Sequence, residues 1–112
     1  MTSYQKLNDH TLQERNFTVT RDDADWYRES SISREFNFLS RQRTTTAEFL
    51  LWNKKQSSTS TSVAVTIDNF RDIEGQEEIA RAHRQLVVLG GKPPALDEVL
   101  DRTPKARLAP KA

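Results

Sequence analysis

The chain reads as a small α+β domain: an antiparallel sheet of three to four strands, a C-terminal helix packed on one face, and a second short helix. Three observations predict this. Val63-Ala64-Val65-Thr66-Ile67 alternates apolar and polar or small residues, the period of a half-buried strand. Ile79, Ala82, Leu86 and Leu89 recur at three, four and three residues, the spacing of one helical face. Gly90-Gly91-Lys92-Pro93-Pro94 then stops that helix, because glycine supplies a left-handed C-terminal residue and proline cannot continue.

The expected organisation is a polar segment over 1–15, one domain over 16–102 and a basic tail over 103–112. Leu7 and Leu12 are the only aliphatic anchors of the first segment, which predicts a frayed stretch with a short helix from Asn8 to Arg15. Phe17 and Val19 alternate with Thr18 and Thr20, as in a short strand. Thr20-Arg21-Asp22-Asp23 has the form of a capping box and predicts a short helix through Trp26 and Tyr27. Ile32, Phe36 and Phe38 share a parity and predict a strand with one apolar face.

Thr46 to Asn53 carries Phe49 and Leu51 on one parity and Leu50 and Trp52 on the other, the pattern of a strand covered on both sides. A short helix is the competing reading there. Lys54 to Thr61 is a Ser/Thr-rich connector leading to Val63, Val65 and Ile67. The helix is expected over Gly75–Leu89, with Ile79, Leu86 and Leu89 against Val63, Val65, Ile67 and Phe49. Glu74, Glu77 and Glu78 near its start suit the helix dipole. Pro94 opens a second short helix bearing Leu96, Val99 and Leu100, expected to close one end of the core.

Composition bounds the function. The 112 residues are 35% hydrophobic, with a mean hydropathy of −0.78, so the core must be small and a partner or second copy is a natural means of completing burial. There is no cysteine, which excludes disulfides, thiolate metal sites and a cysteine nucleophile. No apolar run approaches membrane-spanning length, and the expectation is a cytoplasmic protein without membrane contact. A formal net charge of +1 gives the whole chain no strong electrostatic preference. The sign nevertheless alternates along it: acidic over 21–30, basic from Arg34 to Lys55, acidic over 68–78, and positive after Asp101.

No catalytic or cofactor motif occurs. Asp22, Asp23 and Asp25 lack the glycine and terminal glutamate of a calcium loop and suit the start of a helix. His83 lies beside the apolar stripe of the main helix with no second histidine at ligand spacing, which favours a boundary residue over a base or a metal ligand. Gly90-Gly91-Lys92 follows a helix instead of preceding one, so it is a helix stop and not a phosphate loop. No cofactor and no metal are expected.

Two functional readings lead. The first is a small non-enzymatic interaction or accessory protein, with a homo-oligomer as one form, acting through a sheet edge or the face around Trp52. The alternative is a nucleic-acid-binding module using Arg34, Arg41, Arg43, Lys54, Lys55 and the tail residues Lys105 and Arg107, with Phe36 and Phe38 as stacking aromatics. Against that alternative, a chain this poor in apolar residues has every reason to bury both phenylalanines. An enzyme built around His83 or the acids is the third and weakest reading.

Overall fold

The computed structural model describes residues 1–100; the expected basic tail, with Lys105 and Arg107, lies outside the described residues. Five strands follow one another as an antiparallel meander: β1 (Thr2–Asn8), β2 (Thr11–Asp22), β3 (Trp26–Asn37), β4 (Gln42–Asn53) and β5 (Ser58–Asn69). A 3-10 turn (Phe70–Asp72) leads to the helix α1 (Glu77–Val88), and Leu96–Val99 makes one further helical turn. The expected three- to four-stranded α+β architecture with two helices is therefore corrected. The protein is mostly sheet, 55%, with one full helix.

Turn chemistry explains the extra strands. Each hairpin is opened by an Asn or Asp whose side-chain oxygen accepts backbone N–H groups two or three residues on, a substitute for Gly or Pro. Asn8 Oδ1 accepts from His10 N at 3.0 Å, and Asp23 Oδ1 from Asp25 N at 2.9 Å and Trp26 N at 2.8 Å. Asn37 Oδ1 accepts from Leu39 N at 2.9 Å and Ser40 N at 3.0 Å, and Asn53 Oδ1 from Gln56 N at 3.2 Å. Thus the acid expected to cap a helix at Asp23 caps a hairpin turn, and Trp26 and Tyr27 begin β3. The same chemistry at Asn8 replaces the expected helix over Asn8–Arg15: β1 and the start of β2 lie there, in place of a frayed segment.

The core occupies one end of this sheet. Leu12 and Phe36 pair across β2 and β3 and share a face, which also carries Tyr4, Glu14, Arg34, Arg43 and Asp68. Onto it pack Ile79, Ala82 and Leu86 of α1, with Phe38, Phe70, Ile73 and Val99 completing the buried cluster. Phe38 meets the Phe70 ring edge-on at 5.5 Å. Leu96 and Leu100 pack against the cluster, so the segment after Pro94 does close one end of the core. Gly90, with φ of 92°, ends the helix as expected. At Gly91 a Cβ would lie 2.5 Å from Leu86 Cδ1, so only glycine lets the returning chain pass over that leucine.

Beyond this end the sheet continues as a single layer. The described residues span 61 × 38 × 18 Å. α1 packs chiefly over β1 and β2, and at its start Glu78 reaches Arg43 of β4. The expected packing of α1 on Val63, Val65, Ile67 and Phe49 is thus overturned. By register, Val63, Val65 and Ile67 share a face with Glu48, Thr46 and Thr44 and point away from the helix. Likewise β4 is not covered on both sides: Phe49, Leu51 and Trp52 are all exposed.

Candidate interaction surface

The open face of the sheet can be read row by row from the strand register. One row runs Trp52–Tyr27, with Asp22 beside Tyr27; the next Leu50–Glu29–Val19; the third Val63–Glu48–Ser31–Phe17. Below them come Val65–Thr46–Ser33–Arg15 and Ile67–Thr44–Glu35–Gln13. Apolar side chains therefore concentrate on β5 and at the far hairpin tips, while β3 and β4 place Glu29, Glu35 and Glu48 between them. Arg15 is the one base set among those acids, and its Nε donates to Ser31 Oγ at 3.0 Å.

Among the described residues β4 is the only neighbour of β5, which forms the outer edge of the sheet. Every residue from Ser58 to Ile67 is exposed. Val63, Val65 and Ile67 expose 63%, 60% and 62% of their surface. The other edge, β1, is seven residues long, carries Lys6 and breaks register between Lys6 and Asn8. β5 has twelve residues with no proline, no glycine and no base, and its single charge, Asp68, is paired with Arg43 at 3.0 Å. Native edges are usually shortened, charged or bulged against pairing with another chain. β1 shows those devices and β5 does not.

The structure does not gather the basic residues singled out in the sequence. Arg34 sits 3.4 Å from Glu14 and 3.7 Å from Glu78, and Arg43 donates to Glu78 at 2.9 Å as well as to Asp68. These two arginines lie beneath the start of α1, where they tie helix to sheet. Burial works against the Arg43 charge, but its hydrogen bonds to Asp68 and Glu78 outweigh that and hold the guanidinium firmly protonated. Arg41, with φ of 59°, lies in the β3–β4 turn at the same end.

Lys54 and Lys55 stand at the opposite tip, about 40 Å away along the twelve residues of β4. There Lys54 Nζ donates to Asp22 at 2.8 Å and lies 5.7 Å from the centre of the Trp52 ring. Lys55 pairs with Asp25 at 3.3 Å, and Arg21 with Asp23 at 2.7 Å. The Asp23 carboxyl is lowered from 3.8 to about 2 by the Arg21 hydrogen bond and the Trp26 and Asp25 amides. The acids of this tip and the lysines of the next hairpin thus clasp the two turns together. Trp52 meets Tyr27 edge-on at 6.5 Å and remains exposed on the open face.

Phe36 and Phe38 are buried, so neither is a platform for stacking bases. His83 packs edge-on against Phe38 at 5.3 Å and donates from Nε2 to the Pro94 carbonyl at 2.8 Å, which ties α1 to the segment after it. The sequence names the face around Trp52 as a candidate contact while predicting a strand covered on both sides, a cover Trp52 lacks, and it misses Val63, Val65 and Ile67 as surface, because alternation reports two unlike faces and not which one is covered.

Among the described residues, no helix is long and apolar enough to cross a membrane. The chain matches no family model, no curated protein and no solved structure.

Proposed function

We propose that this is a non-enzymatic interaction or accessory protein whose working surface is the uncovered half of its sheet, centred on β4 and β5. One observation carries the reading. Among the described residues, exposed Trp52, Val63, Val65 and Ile67 share the sheet face turned away from α1 with no helix or loop over them, while the buried core gathers at the other end. Contiguous exposed apolar surface of this kind marks interaction sites in soluble proteins. The division of labour is physical: α1 and the Phe70 turn hold one end rigid, and the long hairpins carry a surface away from it.

A photo-crosslinking residue placed at Trp52 or Val65, in the full chain produced in its native cells, tests this reading. Discrete protein adducts are expected at both positions and not at Arg81 on the helix. Equal or absent crosslinking at all three positions would contradict it.

A further inference from the structure

We infer that the occupant of the β5 edge is a second copy of this chain, paired antiparallel through β5 about a two-fold axis normal to the sheet. The inference rests on the reading of the open half-sheet as an interaction surface and names its partner. Two copies joined this way form one continuous ten-stranded sheet, and both helices lie on the same side.

The pairing groups come first. A sheet edge presents a row of backbone donors and acceptors that only another extended strand satisfies along its length. β5 offers twelve residues of this kind, about 40 Å, rich in the Val, Ile and Thr that favour pleated pairing. No side chain on it bars approach: residues 58–67 carry no charge at all.

Charge then selects the partner and the geometry. A two-fold axis normal to the sheet keeps each face on its own side, so residues of like parity meet. Centred on Val63, the pairing sets Val63 against its counterpart, Val65 against Thr61, Ile67 against Thr59 and Asp68 against Ser58. Centred on Ala64, it sets Val63 against Val65, Ile67 against Thr61 and Asp68 against Ser60. In both registers the apolar stripes merge, and the single acid meets a serine, so no like charges oppose each other.

Stacking two open faces instead would bring Glu29, Glu35 and Glu48 of each copy together with only Arg15 to answer them, at a large desolvation cost. Pairing β5 with the β1 edge of another copy is limited to seven residues, meets Lys6 and a register break, and leaves an open chain of copies. The two-fold β5 pair uses the full edge and closes on itself. An edge pair buries less than a standard interface, so the dimer should dissociate on dilution.

The chain has no cysteine, which makes the test direct. Opposed residues in an antiparallel pair have Cα atoms about 4.5–5.5 Å apart, within disulfide reach. Single cysteines are introduced in the full chain as Val63→Cys, Ala64→Cys, Ser58→Cys and, on the outer face of α1, Val88→Cys. Mild oxidation should give disulfide dimers from position 63 or 64 and not from 58 or 88. In parallel, sedimentation equilibrium from low micromolar to several hundred micromolar should show a monomer–dimer equilibrium. Val65→Lys should weaken it at least tenfold without changing the thermal melt, and Val88→Lys should leave it unchanged.

A wild-type chain that stays monomeric throughout, or cysteines that pair without regard to position, would overturn the inference. If the chain is monomeric but the crosslinker at Trp52 or Val65 still captures a different protein, self-pairing fails and the interaction reading survives. If neither association nor discrete adducts appear, both fail.

Discussion

Leu86 and Val65 are both aliphatic residues on regularly patterned elements, yet they sit in opposite environments. Leu86 is fully buried between α1 and the sheet, whereas Val65 stands on the open face. Leu86→Ala should cost about 2–5 kcal/mol in urea unfolding. Val65→Ala should change stability by no more than about 0.5 kcal/mol. Equal losses at the two positions would mean that the β5 stripe is covered. Gly91 offers a second residue-scale test, since the Cβ of Gly91→Ala runs into Leu86; a loss of about 1–3 kcal/mol is expected in the same assay. At the far tip, Asp23 titrates near 2 in the folded chain and closer to 4 when unfolded. A depressed carboxyl contributes stability above its unfolded value and loses it as pH falls through the folded one. An NMR titration should therefore show the Asp23 carboxyl still ionised at pH 3, and Arg21→Ala should move its midpoint upward.

At the scale of elements, the helix was the most legible part of the sequence. Its apolar spacing and glycine stop place it over Glu77–Val88, inside the expected Gly75–Leu89. The sheet was legible only in part, for two reasons. The hairpin turns carry Asn or Asp in place of Gly or Pro, so strands that run from Thr11 to Asn53 with short turns looked like strand, helix and connector. The Asn and Asp residues at positions 8, 23, 37 and 53 were the available signal, and each caps a turn through its side chain. The second reason is coverage: alternation at Val63, Val65 and Ile67 shows that two faces differ, and only the tertiary structure shows that the apolar one is bare. Of the candidate contacts, Trp52 was named in the sequence but on a strand expected to be covered on both sides, and Arg34 and Arg43, named as contacts, are ion-paired. Arg34 and Arg43 each have acids from a different strand or from α1 within ion-pair distance, a juxtaposition that sequence distance hides. One consequence concerns local stability. Amide protection should be greatest around Leu12 and Phe36, where α1 covers the sheet, and should fall toward the tips at Asp23–Asp25 and Lys54–Ser57. Uniform protection along β3 and β4 would contradict the single-layer description of the far half.

Over the described residues the molecule is a thin blade gripped at one end. Its radius of gyration is 18.0 Å, whereas a compact chain of this length would have about 13 Å. A chain with so few apolar residues cannot cover both faces of a sheet this large, and among the described residues the thin hydrophobic content is expressed as an uncovered half. The same economy of core leaves Trp52 of β4 and Val63, Val65 and Ile67 of β5 exposed, beyond the part of the sheet that α1 covers. On the proposed reading the working part is the sheet edge, while His83, Arg34 and Arg43 hold the scaffold together.

The central claim is that Ser58–Asn69 is an edge built for pairing. Hydrogen–deuterium exchange of the full chain, followed by mass spectrometry at low and at high protein concentration, tests it most directly. The account predicts that amides of β5 gain protection as concentration rises, while those of β1 and α1 keep the same rates. Protection that does not change in β5, or that rises instead along β1, would contradict it.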